Sequence, residues 1–558
     1  MSKKKVTVYT ARKVLTMDPG RPEVQAVAVL DGKVLSTGTL ESMQPWLSHH
    51  DVMVDDTFKD KVILPGFVEP HTHFWMSAGF MGLSYIGPIP MPGPNGMNPP
   101  LHNAEEVIAH LKELHEKEKD PKKPIIAWGF DPATQGGSFD RKALDKISTE
   151  RPIWVIPVAP HFVYVNSPAL EKIDVKPDTK IYGVRKYDDG SLSGVFNETH
   201  AVQTALTPVF PEIAALGGLK GLYFMGSIAL NAGITTTSEM AFGAIDFDAE
   251  IGDTIKATND PDFPVRMQLV PMSSSLIRKY GADKAIDVYR KMTEKNTDKM
   301  MVQGIKFWSD GSLPLMSSLV NFPGYLDESN GSFGDTPWDQ MISLMTPYWK
   351  EEIQIHCHAN GDEAVDQTLN ALAGLQKIQP RFDHRFSIEH YSISNPMQAR
   401  RLKALGGIAS VNNYFVHFRS LLHRTHAYGP DRSDTMARLA TLEREGVIFA
   451  LHSDYPQVAV PMLPLTAVYT AVTRIAEDGK TVVAPDERIG LERALRAVTI
   501  DAAYIIGLED KIGSLEQGKF ADFTILEEDP FEVDPKHLKD IPIWGTVLGG
   551  KPFKATEA

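Results

Sequence analysis

Eight short apolar runs recur through the middle of this 558-residue chain, and most are followed by a loop and a segment able to form a helix. Short runs rich in β-branched residues and bounded by turn signals are typical of buried strands. The runs occupy residues 62–68, 234–238, 265–270, 304–308, 353–356, 386–388, 408–411 and 447–451. Eight strand–helix units predict an α/β fold, a closed (β/α)8 TIM-like barrel whose active site lies at the carboxyl ends of the strands.

The two ends of the chain and one long interval do not follow this repeat. Both ends contain short alternating strands, and because the termini of a domain often lie close together, they predict one small β-sandwich. The interval after the first run is too long for a strand–helix loop, so it predicts an inserted subdomain at the barrel mouth. The expected boundaries are 1–63 for the N-terminal part of the sandwich, 64–75 for the first barrel strand and its metal motif, 76–200 for the insertion, 201–504 for the remaining barrel and 505–558 for the C-terminal part of the sandwich.

The charge balance argues against nucleic acids and membrane surfaces as partners. Lysine and arginine number 57 against 71 aspartate and glutamate residues, which gives a formal net charge of −14. Such a chain lacks the positive surface that binds phosphate backbones or anionic lipid. Cys357 is the only cysteine in the sequence, so no intrachain disulfide forms. Without a signal-peptide pattern or a long apolar run, we expect a cytoplasmic enzyme that acts on a small molecule and associates as a homodimer.

A pair of histidines, His71 and His73, follows the first run. Residues i and i+2 of a strand point to the same face, so both imidazoles can bind one metal ion. Other strand ends carry further metal-binding residue types, namely His356, His358, His390, His452 and Asp454. Their convergence on the rims of several strands predicts a metal site. Imidazole and carboxylate donors suit zinc, with manganese, iron or nickel as alternatives.

Lys306 interrupts the apolar run 304–308. It either extends its ammonium group to the rim of the barrel or is buried as a neutral amine. A buried neutral amine can react with carbon dioxide to give a carbamate, a carboxylate able to bridge two cations. Asp310, followed by a turn at Gly311 and Ser312, either orients groups around the metal site or serves the turn alone.

Aromatic residues and methionine also cluster near these strand ends. They are Phe74, Trp75 and Met76 after the first strand, Trp308 at the end of the fourth, and Tyr414 and Phe415 after the seventh. A lining of this kind suits an apolar or aromatic substrate, although the same residues could instead attach the insertion to the barrel. His161 and Glu198 lie in the insertion, where they either reach the site or make structural hydrogen bonds.

Six motifs, taken in chain order, resemble the amidohydrolase superfamily and within it the amidohydrolase family 3 branch. They are LPGFVEPHTH at 64–73, Lys306 with SDGS at 309–312, HANGD at 358–362, IEH at 388–390, HSD at 452–454 and IGSLEQGKFADF at 512–523. The resemblance extends over nearly the whole chain. It is specific for the barrel fold and the metal site but not for a substrate, because the branch is broad.

The resemblance implies a centre of two divalent metal ions, with zinc favoured. His71 and His73 would bind the more buried ion. Lys306, carboxylated by carbon dioxide, would bridge the two ions.

The resemblance assigns the other matching residues to the second ion and to proton transfer. His358, rather than His356, and His390 would bind the second ion. Asp454 would contact the first ion and carry a proton. His452 stands where many relatives have glycine, so its ring either narrows the site or hydrogen-bonds to the substrate.

These roles imply a hydrolase that cleaves a non-peptide carbon–nitrogen bond. A hydroxide that bridges two cations is a nucleophile at neutral pH, since the cations lower the pKa of bound water to about 7. It would attack the carbonyl of an amide, carbamate or N-formyl compound with an apolar or aromatic group, while Asp454 accepts the proton and returns it to the leaving nitrogen. One alternative is a mononuclear deaminase or cyclic-amide hydrolase, in which Lys306 is not carboxylated. Another is a non-catalytic regulatory or ligand-binding protein.

Overall fold

The structure, a computed structural model, describes residues 4–457 and 460–556 and has an α/β fold. Its centre contains short parallel strands that are buried along their whole length, as expected where both faces of a sheet are covered. These strands are β5 (Phe67–Thr72), β14 (Ile234–Phe242), β15 (Arg266–Pro271), β16 (Met300–Val302), β17 (Ile305–Trp308), β18 (Ile355–Ala359), β19 (Ser387–His390), β20 (Ile408–Val411) and β21 (Phe449–Leu451). Every predicted run overlaps at least one of them.

The first predicted run, 62–68, is divided between two strands. The strand β4 (Asp51–Pro65) belongs to a different sheet from β5. Gly66 lies between them at a close approach of two chain segments, because a Cβ at this position would lie 2.0 Å from the hydroxyl oxygen of Thr235. The division that we predicted between residues 63 and 64 therefore falls inside a strand.

The parallel strands pair in two sheets. One has the order β16-β15-β14-β5 and the other β17-β18-β19-β20-β21. The chain passes from one to the other at Gly304, whose φ of +80° turns it between β16 and β17. The sheets meet at a parallel bridge between Met272 and Lys306, and again where the His73 N–H donates to the Tyr455 carbonyl at 2.9 Å. These contacts bring the carboxyl ends of both sheets together, while closure into a barrel stays a prediction.

The register of the second sheet aligns its chemically active residues. Lys306 pairs with His356, and Trp308 pairs with His358. His358 in turn pairs with Glu389 on the next strand. Since parallel strands lie about 4.8 Å apart, this register places the side chains of three neighbouring strand ends within contact of one another.

Helices follow the central strands and cover the sheets. In α14 (Asp362–Ile378), Val365, Leu369 and Leu372 are buried at a spacing of three or four residues, which is the apolar face of an amphipathic helix. The helices of this part are α9 (Gly218–Asn231), α10 (Phe247–Asn259), α11 (Ser273–Tyr280), α12 (Ala285–Thr293), α13 (Met341–Lys350), α14, α15 (Pro396–Ala404), α16 (Tyr414–Phe418), α17 (Ser420–His426), α18 (Pro430–Asp434), α19 (Leu439–Arg444), α20 (Pro464–Thr473), α21 (Leu491–Arg496) and α22 (Ile500–Ile505).

Strands from both ends of the described chain pair in one mixed sheet. Besides β4, the elements here are β1 (Lys5–Leu15), β2 (Glu23–Leu30), β3 (Lys33–Gly38), β22 (Phe523–Leu526), β23 (Ile543–Leu548), β24 (Lys551–Lys554) and the helix α1 (Leu40–Leu47). The strand order in the sheet is β24-β23-β22-β4-β1-β2-β3. β4 lies between a parallel neighbour, β1, and an antiparallel one, β22. The stacking of two sheets as a sandwich stays a prediction.

The segment after β5 contains a sheet of its own and a separate hairpin. Its strands are β6 (Ser84–Tyr85), β7 (Met91–Gly93), β8 (Gly96–Asn98), β9 (Ile125–Phe130), β10 (Ile153–Pro157), β11 (Phe162–Val165), β12 (Val184–Lys186) and β13 (Leu192–Asn197). The strand order in the sheet is β12-β13-β11-β10-β9-β6, and β7 and β8 form the hairpin. Its helices are α2 (Phe74–Phe80), α3 (Ala104–Lys117), α4 (Pro132–Gln135), α5 (Arg141–Asp145), α6 (Ser167–Ile173), α7 (Thr199–Leu206) and α8 (Phe210–Leu216). A separate apolar cluster packs within this segment, while its assignment as an inserted subdomain at the barrel mouth stays a prediction.

A buried ion pair joins β15 to the segment that precedes β22. Arg266 Nε and Nη2 donate to the two carboxylate oxygens of Asp522 at 2.6 and 3.0 Å. Replacing Asp522 by alanine is expected to destabilise the protein by about 3–5 kcal/mol, because the guanidinium stays buried without a counter-charge. The shift in the urea midpoint measures this loss. The exposed pair of Lys551 and Asp262 provides the control, since Asp262→Ala is expected to cost less than about 1 kcal/mol. Equal shifts for the two variants would contradict the prediction.

Within residues 4–457 and 460–556, no single helix has the length and apolar composition needed to cross a membrane. One pair, His200–Leu216 and Gly218–Asn231, meets the criterion together but is bent by 69°.

Candidate metal centre

The strand ends place seven chemically active side chains in one buried region. His71 lies in β5 and His73 directly follows it, β17 contributes Lys306, and β18 contributes His356 and His358. His390 is the last residue of β19, and Asp454 lies shortly after β21. All of them are buried. The sequence therefore delivers the predicted residues to a common site, and their mutual distances decide what that site can bind.

His71, His73 and Asp454 form one group of converging donors. Asp454 Oδ1 lies 3.0 Å from His73 Nε2 and 3.3 Å from His71 Nε2. One ligand atom from each of the three residues lies within 4.8 Å of the others. Two imidazoles and a carboxylate around a buried point are a donor set that suits zinc and similar divalent ions, so these residues fit a metal ion.

The ionisation of Asp454 agrees with this interpretation. Burial raises the pKa of a carboxyl group, but the nearby His390 and His71 outweigh it and hold the pKa of Asp454 well below its usual value. Burial also lowers the pKa of His358, His390 and His452 well below the ordinary range. Asp454 is therefore a carboxylate and these three imidazoles are neutral, which are the protonation states that bind metal ions. The pKa of His73 is instead raised, because the effect of burial is outweighed by hydrogen bonds to Asp454 and Glu239.

The carboxylate of Glu389 connects two of the histidines, His71 and His356. Its oxygens accept hydrogen bonds from His71 Nδ1 at 2.6 Å and from His356 Nδ1 at 2.8 Å. With Nδ1 of His71 donating to Glu389, Nε2 carries the lone pair and is available to a metal ion beside Asp454. Burial opposes ionisation of Glu389, yet the two histidines lower its pKa well below the usual value. Sequence reasoning missed this residue, although a carboxylate at the end of an apolar strand requires a buried partner.

Replacing Glu389 by glutamine is expected to weaken metal binding by about 10–100-fold, because the orientation and basicity of His71 depend on this carboxylate. Competition with a chromophoric chelator measures the affinity. Glu487→Gln is the matched control, since Glu487 is also buried but binds Thr441 outside the site. An affinity equal to that of the wild type would refute the orienting role.

The side chain of Lys306 points toward the group of His71, His73 and Asp454 instead of toward solvent. Its Nζ lies 3.3 Å from His71 Nε2 and 5.0 Å from the centre of the Trp308 ring, and the residue is 1% exposed. Burial lowers the pKa of this amine, although the Glu389 and Asp454 carboxylates oppose the shift. The amine therefore does not reach solvent, which excludes the first of the two arrangements that we considered from the sequence.

The contacts of His358 differ from those that a ligand of the second metal ion would make. Its Nε2 lies 3.0 Å from the Gly311 carbonyl oxygen and 3.0 Å from Asn360 Nδ2. Its ring centre is 4.4 Å from that of His390. His358 therefore lies next to the group but outside both sets of donors that converge within 4.8 Å among the described residues.

Asp310 acts as a connector between two strand ends. Its carboxylate accepts hydrogen bonds from the backbone N–H groups of Asn360, Gly361 and Leu319 at 2.9–3.0 Å. Burial raises the pKa of Asp310 to about 7. The residue thus fixes the loop after β17 against the loop after β18, while a role in orienting groups around the metal site stays a prediction.

A cavity of about 90 Å³ lies beside His73. Of the residues predicted to line a substrate pocket, Met76, His161 and Trp308 contribute to its wall. The others, Phe74, Trp75, Tyr414, Phe415 and His452, are fully buried and are not among the lining residues. The wall is otherwise mostly apolar, with Phe80, Val202, Leu206, Phe210, Ala241 and Met272 among its members.

His161 reaches this cavity from the insertion. Its Nδ1 donates to Glu198 Oε2 at 2.8 Å, and its ring centre lies 5.6 Å from that of His358. Glu198 is itself buried and has a φ of +64°, a strained conformation for a residue other than glycine. The two residues that we noted in the insertion therefore bind each other, and the pair adjoins the metal-binding group.

A larger cavity of about 860 Å³ lies on the other side of Glu198 and Gln203. Its apolar wall includes Ile277, Phe333, Trp338 and Leu344. Gln203 contributes to both cavities. The larger cavity therefore adjoins the one beside His73 through Gln203, but none of the metal-binding side chains lies in its wall.

The sequence matches the amidohydrolase family over residues 58–553. It is 24% identical over 552 residues to Protein LONG AFTER FAR-RED 3 of Arabidopsis thaliana, a match that covers 96% of this chain and 90% of that protein. It is 22% identical over 546 residues to the N-substituted formamide deformylase of Arthrobacter pascens, covering 96% of each chain. A solved structure of a metal-dependent hydrolase from Pyrococcus horikoshii OT3 has the same fold, with a TM-score of 0.71, 20% identity and coverage of 95% of this chain and 99% of that one.

Proposed function

Because the chain belongs to the amidohydrolase family, we propose that it is a hydrolase that cleaves a non-peptide carbon–nitrogen bond in a small apolar or aromatic amide, carbamate or N-formyl compound. The observation that carries the proposal is the buried group of His71, His73 and Asp454 with Lys306 beside it. We also propose that the two parallel sheets close the barrel, which the contacts at Met272 and at His73 support.

The proposed centre holds two divalent ions, with zinc favoured by its donors. His71, His73 and Asp454 would hold one ion, and His390 with His358 the other, once His358 leaves the Gly311 carbonyl. When bound, the ions supply Lewis acidity and a nucleophile from water at neutral pH. Lys306, as a carbamate, would bridge them, and the low pKa of its buried amine favours that reaction.

Asp454 has the proton-transfer role in this proposal. Its Oδ1 faces His71 and His73, whereas Oδ2 lies 3.9 Å from His390 Nδ1. Oδ2 is therefore the atom that accepts a proton during attack on the carbonyl and returns it to the leaving nitrogen. A carboxylate with a depressed pKa is ionised at neutral pH and ready for the first of these steps.

The substrate class follows from the cavities and from one relative. The wall beside His73 is mostly apolar, and the adjoining cavity adds aromatic and aliphatic surface. The Arthrobacter pascens relative is named for action on N-substituted formamides. A small amide with an apolar substituent on nitrogen or on the acyl carbon fits both observations.

A second candidate, a mononuclear deaminase or cyclic-amide hydrolase, is favoured by the position of His358. Its Nε2 is directed at the Gly311 carbonyl rather than at the converging donors. The group of His71, His73 and Asp454 provides three ligands and is sufficient for one ion. In this candidate Lys306 stays an uncarboxylated amine.

Metal analysis and a substrate screen separate these candidates. Protein produced with excess zinc is dialysed and analysed by mass spectrometry for metal content. Product formation is then followed by liquid chromatography with N-acyl aromatic amines, carbamates, N-formyl compounds, cyclic amides and amino-heterocycles. About two ions per chain with hydrolysis of an open-chain amide supports the proposal. One ion with activity on cyclic amides or amino-heterocycles supports the second candidate. Metal-replete protein without any of these activities, at every compound tested, would refute the hydrolase assignment and favour a binding protein.

A further inference from the structure

His452 is held rigidly at the end of β21. Its backbone N–H donates to the Val411 carbonyl at 3.1 Å, and two residues later the Asp454 N–H donates to the His71 carbonyl at 3.2 Å. The side chain is completely buried. Backbone hydrogen bonds to β20 and β5 therefore hold the short segment that carries both His452 and Asp454.

Neither ring nitrogen of His452 has a hydrogen-bond partner among the residues that the structure describes. A buried polar group without a partner costs about 1–3 kcal/mol, so an unpartnered imidazole needs an explanation. His423 shows that this observation alone is not sufficient. It is equally buried and also lacks partners within the described part of the chain, yet it belongs to no group of converging donors there.

The surroundings of His452 differ from those of His423. Its ring stacks on that of His71, with centres 4.5 Å apart and an angle of 14° between the planes. The His390 ring centre lies 5.1 Å away, and His390 Nδ1 also lacks a partner among the described residues. One nitrogen from each of His71, His390 and His452 lies within 4.8 Å of the others. The arrangement therefore places three imidazoles around one buried point.

We propose that His452 is an additional metal ligand of this centre, which shares an ion with His390. His452 shares a group of converging donor atoms with His390. The ring of His358 is nearer to that of His390, but its Nε2 is directed at the Gly311 carbonyl. The inference rests on the proposed metal dependence but not on the identity of the substrate. It makes the ligand set of this chain different from the one that the family resemblance implies.

Metal binding to His452→Gln, which keeps a polar side chain of moderate size, tests the proposal. We expect its affinity for Zn²⁺, measured by chelator competition, to fall by more than about 100-fold, beyond the range for residues that only orient a ligand. We also expect the visible absorption bands of the Co²⁺-loaded protein to shift, because they report the number and type of ligands. His423→Gln is the matched control and should leave affinity and spectrum unchanged. Thermal unfolding of the metal-free proteins shows whether each variant is folded.

Several outcomes would overturn the proposal. If His452→Gln binds Zn²⁺ like the wild type and has the same Co²⁺ spectrum, His452 is not a ligand, and a higher KM in that variant would show contact with substrate instead. A variant that does not fold is replaced by His452→Asn, to which the same criteria apply. These readouts do not require turnover, so a wild type that binds metal through His452 without hydrolysing any compound refutes the proposed function and leaves this inference standing.

Discussion

Asp454→Asn is expected to lower kcat by about 10⁴-fold on the best compound of the substrate screen. The change removes the proton acceptor, and such groups contribute about 10²–10⁴-fold. It also replaces a charged ligand that lies 3.0 Å from His73 Nε2 and 3.3 Å from His71 Nε2 by a neutral amide. Both effects act on the same step, so the loss should reach the upper end of this range.

Steady-state kinetics together with metal analysis measures this effect. If the variant retains metal, the loss in kcat is assigned to proton transfer, and if it loses metal, to the ligand role. Asp529→Asn is the control, because Asp529 is equally buried but pairs with Lys13 at the terminal sheet. A kcat for Asp454→Asn within tenfold of the wild-type value would exclude Asp454 from both roles.

Lys306→Ala is expected to lose at least one of the two metal ions and nearly all activity. The amine is buried beside His71, and its carbamate would supply the bridging oxygens. Short carboxylates such as formate, acetate and propionate should restore part of the metal content and turnover, because they can occupy the space that the lysine leaves. Reconstitution of the wild type with zinc should likewise depend on added bicarbonate.

Lys299→Ala is the matched control for this experiment. Burial also lowers the pKa of Lys299, to about 8, but its Nζ donates to the carbonyl oxygens of Asp260 and Phe263. The Lys299→Ala variant should therefore keep its metal, and neither bicarbonate nor short carboxylates should change its metal content or turnover. If Lys306→Ala retains both ions and full turnover, the bridging role is wrong.

The strands of the central part were predictable because burial on both faces requires short apolar runs. Their exact division was not, since it depends on contacts that are remote in sequence. Gly66 separates β4 from β5 because Thr235 occupies the space where its side chain would be. Gly304 separates β16 from β17 by its positive φ. Both glycines are visible in the sequence, but nothing local distinguishes them from glycines in ordinary turns.

The convergence of His71, His73, Lys306 and Asp454 was also predictable, because the carboxyl ends of parallel strands meet on one side of the sheet. The role of Glu389 was not, since a glutamate beside a histidine gives no sign that it binds two other histidines. Composition also does not distinguish residues that line a cavity from residues that fill a core. Trp308 contributes to the cavity wall, whereas Trp75 is buried elsewhere, although both stand near strand ends.

The position of β4 between β1 and β22 has a consequence for the growing polypeptide. When β4 leaves the ribosome, β1 has already been made, but the residues of β22 are added only after the entire α/β portion. The edge of β4 that pairs with β22, residues 62–65, therefore stays without its partner during most of translation. An unpaired strand edge pairs readily with other chains. Fragments that end before Phe523 are accordingly expected to aggregate, and folding chaperones that shield nascent chains should raise the yield of the full-length protein.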